Sequence, residues 1–127
     1  MALGKTFSTA INCMDGRTQI PVNEYLSKKY QVDYVDTITE PGPIKYLAEQ
    51  SDKFKLKSIL ERIDISVYKH GSKSIAVVGH FDCAGNPIGK AEQMVQVKKS
   101  CVFLKEKYPG VEVIGVWVDE NWEVEEV

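Results

Sequence analysis

The feature of this sequence that most restricts its fold is the alternation of short, nearly all-apolar runs with longer segments of helical period. The run SIAVVG (residues 74–79) contains no charged residue. A strand this short and apolar is typical of one covered on both faces. A second run of the kind, VEVIGVWV (111–118), lies near the other end of the sequence. Apolar strands separated by helices predict a parallel sheet with helices on both of its faces.

Periodicity and turn residues predict the remaining elements. Strands are predicted over residues 5–12 and 32–39, and a helix over 20–30 with Pro21 in its first turn. The EPGP segment (40–43) is expected to be neither helix nor strand. Apolar residues at steps of three and four predict two more helices. The first contains Leu56, Ile59, Leu60, Ile63 and Val67, and the second contains Met94, Val97, Cys101, Leu104 and Tyr108.

Chain length and charge restrict the organisation and the partners. Because 127 residues is close to the commonest size of one domain, we predict a single α/β domain over residues 1–127. Its sheet has about four parallel strands, and residues 119–127 form a turn into a short C-terminal edge strand. A formal net charge of -2 gives no broad attraction for nucleic acid or an anionic membrane. Neither a membrane span nor a secretory leader is evident, so a cytoplasmic location is predicted.

The polar residues that follow two of the predicted strands are the candidates for chemistry. Cys13 comes directly after the first strand, and His80 and Cys83 follow the third. If strands one and three are neighbours, as right-handed crossovers commonly make them, these residues converge on the crevice where such sheets bind ligands. Two thiolates and an imidazole suit tetrahedral zinc. A shell of three protein ligands leaves one position for water, which is the catalytic arrangement.

Asp15 and Arg17 lie just beyond Cys13 in the sequence. A carboxylate beside an activated water can accept its hydrogen bond, and an arginine can hold that carboxylate in a bidentate fork. The alternative for this pair is a surface salt bridge near a turn. For Cys13, His80 and Cys83, the alternative is that the two cysteines are buried apolar thiols and the histidine is a hydrogen-bonded loop residue. A metal-free alternative makes Cys13 a nucleophile of low pKa.

Two motifs resemble those of a known family. The segments CMDGR (13–17) and HFDC (80–83) resemble the Cys-x-Asp-x-Arg and His-x-x-Cys motifs of the β-class carbonic anhydrases, and the element order agrees over nearly the whole chain. The resemblance implies one zinc ion per chain. It assigns Cys13, His80 and Cys83 as zinc ligands, and Asp15 and Arg17 as the pair beside the fourth ligand. In the family that ligand is water or hydroxide that attacks CO2, or the aspartate itself in a closed resting form.

The resemblance also implies an activity and an assembly. The expected reaction is the zinc-dependent, reversible hydration of CO2 to bicarbonate, catalysed by a homodimer or a larger homo-oligomer. Two departures fall around the substrate pocket: EPGP replaces an Arg-Asn-Ala-Gly-Asn type loop, and Ala84 stands where a glycine is usual. Two alternatives therefore stay open. One is hydrolysis of a related linear molecule such as carbonyl sulfide or carbon disulfide, and the other is a catalytically silent zinc-binding module in which Asp15 closes the fourth position.

Five other residues have structural interpretations. His70 is predicted to lie at a helix C-terminus, where its charge meets the negative end of the helix dipole. Cys101 lies on an apolar helical stripe and is predicted to be a core thiol. Asp82 is predicted to accept a hydrogen bond within its loop. Trp117 and Trp122 are predicted to pack a sheet edge or a subunit contact.

Overall fold

A computed structural model describes residues 5–127, and its strands form one five-stranded sheet. The strands are β1 (Phe7–Cys13), β2 (Tyr34–Glu40), β3 (Ser74–His80), β4 (Glu112–Val118) and β5 (Val124–Glu126). Their order across the sheet is β2-β1-β3-β4-β5, with β5 antiparallel to β4 and every other pair parallel. The predicted fold class, a mostly parallel α/β sheet with a short C-terminal edge strand, is confirmed. Residues 1–4 of the predicted domain lie outside the described residues.

Helices cover both faces of the sheet, as predicted. They are α1 (Gly16–Tyr30), α2 (Pro43–Glu49), α3 (Lys53–Asp64) and α4 (Lys90–Lys107), and a π-helical turn over Ile65–Lys69 extends α3. Successive strand residues point to opposite faces, so Ala10 packs under α1 while Ile11 packs under the other three helices. Within residues 5–127, no helix combines the length and apolar character needed to cross a membrane.

The sheet order places the crevice where the sequence predicts it. β1 and β3 are neighbours, paired at Thr9–Ile75, Ala10–Ala76 and Ile11–Val77. The helix that follows β1 packs on one face, and the helix that follows β3 packs on the other. Ligands of such sheets bind at the carboxyl ends of the strands where neighbouring crossovers diverge in this way. The carboxyl ends of β1 and β3 therefore form the candidate site.

The structure corrects two predicted boundaries. Helix α1 begins at Gly16 rather than at residue 20, because the Asp15 side chain caps it by accepting the Arg17 N–H at 2.9 Å. Pro21 consequently lies inside the helix and not in its first turn. The EPGP segment is irregular only at its two central residues. Its first residue completes β2, and Pro43 begins α2, where the missing N–H and fixed φ of proline suit a first helical position.

Candidate metal centre

Three side chains meet at the carboxyl ends of β1 and β3. Cys13 ends β1, His80 ends β3, and Cys83 lies in the loop that follows. They are buried, with exposed fractions of 4%, 1% and 5% respectively. The two sulfur atoms are 3.9 Å apart, and all three candidate ligand atoms lie within 4.8 Å of one another. A tetrahedral zinc with bonds of about 2.3 Å to sulfur separates two thiolates by about 3.8 Å, so the spacing fits this ion.

The imidazole of His80 is oriented as a ligand. Its Nδ1 lies 2.8 Å from the Phe81 carbonyl oxygen, which favours the tautomer with the proton on Nδ1 and a free lone pair on Nε2. Among the described residues, the buried Nε2 has no hydrogen-bond partner. Gln93 of α4 fixes the backbone by accepting the His80 N–H at 3.1 Å and donating to its carbonyl at 2.8 Å. A buried polar atom without a partner is costly unless a ligand satisfies it.

The two thiol groups are hydrogen-bonded to each other. The hydrogen bond between their sulfur atoms lowers the pKa of Cys13 and raises that of Cys83. The Gly42 N–H also donates to the Cys13 sulfur at 3.5 Å, which stabilises a thiolate there. A divalent cation replaces both thiol protons and takes the lone pair of the imidazole. The donor set therefore suits a zinc ion.

The loop between β2 and α2 packs directly on the loop that carries Cys83. A Cβ added to Gly85 would lie 2.6 Å from the Pro41 Cβ and 2.7 and 2.9 Å from its backbone C and Cα. A Cβ added to Gly42, whose φ is +61°, would lie 2.5 Å from the Cβ of Asn86. The two loops approach this closely because neither glycine carries a side chain. Sequence reasoning missed this contact, and its only local signal was two glycines beside the candidate residues.

Asp15 and Arg17 form the bidentate pair that the sequence predicts. The Arg17 Nε donates to Asp15 Oδ1 at 3.0 Å, and Nη2 donates to Oδ2 at 2.7 Å. These hydrogen bonds lower the pKa of Asp15 to about 2, so the carboxylate is ionised at neutral pH. The group of ligand atoms that meet within 4.8 Å contains Cys13, His80 and Cys83 but not Asp15. Arg17 therefore fixes the Asp15 carboxylate outside the group of candidate ligand atoms.

Two residues that the sequence assigns to structural roles also reach Arg17. Asp82 accepts from Nη1 through its carboxylate at 3.3 Å and from Nη2 through its carbonyl at 3.1 Å. The Trp122 ring lies under the guanidinium, with its centroid 4.4 Å from Cζ. Sequence reasoning missed both contacts. They join the first turn of α1, the β3–α4 loop and the β4–β5 turn.

Three other residues singled out in the sequence, Cys101, His70 and Trp117, lie outside the site. Cys101 is buried in the core, as predicted, and burial raises the pKa of its thiol to about 11. His70 follows the π-helical turn, as its capping prediction requires, and its Nδ1 also lies 2.7 Å from Asp36 Oδ2. Trp117 is buried on β4. None of these three has a ligand atom in the cluster at the ends of β1 and β3.

The comparison with known proteins identifies the family. A family model described as "Putative carbonic anhydrase" matches residues 3–127. The chain belongs to the carbonic anhydrase family. No curated protein sequence matches it significantly. The family assignment confirms the resemblance read from CMDGR and HFDC, and zinc is the metal of that family.

Solved structures agree with this assignment at the level of the fold. A carbonic anhydrase from Glaciozyma antarctica has a TM-score of 0.62 at 15% identity, over 97% of this chain and 82% of that one. One of two tetrameric β-carbonic anhydrases from Sordaria macrospora has a TM-score of 0.55 at 15% identity, over 98% and 81%. A β-carbonic anhydrase of Aspergillus fumigatus gives 0.53 at 15% identity, over 98% and 76%. This member of the carbonic anhydrase family therefore has the β-class fold.

Proposed function

We propose that this protein is a zinc-dependent carbonic anhydrase that catalyses the reversible hydration of CO2 to bicarbonate. The observation that carries the proposal is the buried group of Cys13, His80 and Cys83, whose spacing fits zinc and whose imidazole Nε2 has no hydrogen-bond partner within residues 5–127. These residues would hold one zinc ion per chain. When bound, zinc supplies a Lewis acid that lowers the pKa of water toward neutrality.

The neighbouring pair supplies the orientation of the attacking water. The ionised Asp15 carboxylate is the hydrogen-bond acceptor for that water, and Arg17 fixes its direction through two parallel hydrogen bonds. Both carboxylate oxygens are held by Arg17. A carboxylate with both oxygens paired in this way is better suited to orient the water than to occupy the fourth zinc position. The pairing therefore favours an enzyme over a silent zinc-binding module.

The proposal extends to assembly and location. Met14, Ile20 and Phe81 are apolar side chains with exposed fractions of 62%, 69% and 45%. Met14 directly follows Cys13, and Phe81 directly follows His80. Exposed apolar side chains of this size favour an interface between subunits, so we include a homodimer or a larger homo-oligomer in the proposal. A cytoplasmic location is included because cysteine thiols stay reduced there and so remain able to bind zinc.

Stopped-flow CO2 hydration on zinc-quantified protein tests the proposal. The variants are Cys83→Ala and, as a matched control, Cys101→Ala, which removes a buried thiol outside the metal group. We expect one zinc per chain and CO2 hydration in the wild type and in Cys101→Ala, and loss of both in Cys83→Ala. Zinc-loaded wild type that hydrates CO2 no faster than buffer between about pH 6 and 9 refutes the proposal. A sulfide-release assay with carbonyl sulfide, run in parallel, tests the alternative substrate.

A further inference from the structure

The guanidinium of Arg17 is contacted on two edges and one face. Nε and Nη2 donate to the Asp15 carboxylate. Nη1 donates to the Asp82 carboxylate, and Nη2 also donates to the Asp82 carbonyl. The Trp122 ring stacks on the face, 4.4 Å from Cζ. The Arg17 side chain is 45% exposed. An exposed ion pair is usually weak because two long side chains lose their rotational freedom in making it. The stacked ring removes part of that freedom before the pair forms.

The backbone at Trp122 indicates that its position is imposed by its surroundings. Trp122 has a φ of +60°, and Asp82, the other partner of Arg17, has a φ of +58°. A bulky residue rarely adopts this left-handed conformation, and strained residues of this kind concentrate at functional sites. The turn holds the strain through hydrogen bonds centred on Asp119. Its carbonyl accepts the Trp122 N–H at 2.9 Å, and its carboxylate accepts the N–H groups of Asn121 and Glu123 at 2.8 and 3.0 Å.

We propose that Trp122 is a positioning residue for the reaction: its ring fixes the Arg17 guanidinium and, through it, the Asp15 carboxylate beside the metal residues. This inference rests on the proposed function. Asp82 lies between His80 and Cys83, so the same guanidinium also ties the loop that carries a metal ligand to the loop that carries Asp15. In this role Trp122 acts through its contact with Arg17.

Three variants separate this role from a structural one. Trp122→Gly removes the ring and also relaxes the positive φ, so the turn is not strained by the change. Trp122→Phe keeps a flat aromatic face for the guanidinium. Asn121→Ala changes an exposed side chain of the same turn and retains the backbone N–H that Asp119 accepts. Thermal unfolding and zinc content of the purified proteins confirm that each variant is folded and loaded.

The first readout is hydrogen exchange of the Arg17 Nε–H, followed by NMR in protein as purified. A cation–π contact at an exposed site shifts the population toward the stacked guanidinium by about fivefold. We therefore expect exchange about five times faster in Trp122→Gly, and nearly wild-type exchange in Trp122→Phe and Asn121→Ala. Exchange in Trp122→Gly that equals the wild-type rate overturns the proposal, whatever the activity.

The second readout is the kinetics of CO2 hydration by zinc-loaded protein. Loss of a group that orients partners of a metal site typically lowers activity about 10- to 100-fold. We expect kcat of Trp122→Gly to fall at least about tenfold with KM and zinc content unchanged, and Trp122→Phe to recover most of that loss. An unchanged kcat overturns the proposal. If the wild type itself does not hydrate CO2 while Trp122→Gly speeds Arg17 exchange, the proposed function fails and the contact between Trp122 and Arg17 stands.

Discussion

The EPGP segment contacts the loop that carries Cys83, and the closest approach is at Gly85. Adding a single methyl group at Gly85 should therefore disturb both loops. An alanine Cβ there would lie 2.6, 2.7 and 2.9 Å from three atoms of Pro41, two of them backbone atoms. Real Cβ atoms are essentially never this close to another heavy atom. A flexible side chain cannot relieve the clash, so one of the two loops has to move. We expect Gly85→Ala to damage both the packing of the protein and its metal site.

The magnitude follows from the cost of overpacking. Forcing an extra carbon into a well-packed contact costs about 1–3 kcal/mol. In a domain of this size each kcal/mol corresponds to about 4 °C in Tm, so we expect a fall of about 4–12 °C in metal-free protein. Displacement of the loop also moves Cys83 and the Gly42 N–H that donates to Cys13. We therefore expect zinc affinity to fall about 10- to 100-fold.

The matched control is Gly89→Ala. A Cβ on Gly89 meets nothing within 4 Å, and its φ of -72° suits alanine. Its unfolding free energy should change by less than about 0.5 kcal/mol. Calorimetric unfolding with and without zinc, together with competition titration of the metal, measures both effects. Equal stability and equal zinc affinity of Gly85→Ala and Gly89→Ala would refute the reasoning.

The remaining predictions concern acid stability, a half-buried hydrogen bond and the metal. Because Arg17 lowers the pKa of Asp15 from its ordinary 3.8 to about 2, the pair stabilises the fold above pH 3.8 and loses this contribution as the pH falls through about 2. Arg17→Met should reduce the acid-side decline in urea unfolding, and an unchanged slope contradicts this. Ser66→Ala removes the hydroxyl that donates to Asp36 at 2.7 Å and should cost about 1–3 kcal/mol at unchanged zinc content; an unaltered unfolding midpoint counts against it. Chelation should lower the Tm of the wild type but not of Cys83→Ala, and equal shifts would contradict the ligand assignment.

The sheet and the meeting of Cys13, His80 and Cys83 could be predicted because each rests on a local pattern combined with a general rule. Apolar runs and helical spacing identified the strands and their alternation with helices. The rule for right-handed crossovers placed β1 beside β3, which the register at Ala10–Ala76 confirms. That adjacency brought together Cys13 and Cys83, residues far apart in the sequence. The chemistry of the side chains then indicated the metal.

Element boundaries were less predictable because several local patterns compete at each end. Pro43 was read as a residue that ends regular structure, yet it begins α2, where a proline loses no hydrogen bond. Asp15 was interpreted as a partner for water, as the fourth ligand or as half of a surface salt bridge, yet it also caps α1. The capping signal was present in the sequence, since an aspartate directly precedes the helix. The structure shows the capping contact, which sequence reasoning did not assign to this residue.

The contacts around Arg17 could not be predicted from any local pattern. Trp122 reaches the guanidinium from a turn at the far end of the chain, and Asp82 reaches it from the loop between β3 and α4. Their meeting depends on how these two loops project toward the first turn of α1 at the edge of the sheet. The same holds for Gly85 and Pro41, whose approach is set by tertiary packing. Sequence motifs therefore identified the candidate metal ligands and the Asp15–Arg17 pair, while the contacts around them required the structure.

Zinc K-edge X-ray absorption on the purified protein reads the metal shell itself. If Cys13, His80 and Cys83 hold the ion, the spectrum shows two sulfur atoms at about 2.3 Å and two nitrogen or oxygen atoms at about 2.0–2.1 Å. A shell without sulfur, or protein that takes up no zinc under reducing conditions, would contradict the metal centre on which the proposed carbonic anhydrase activity depends.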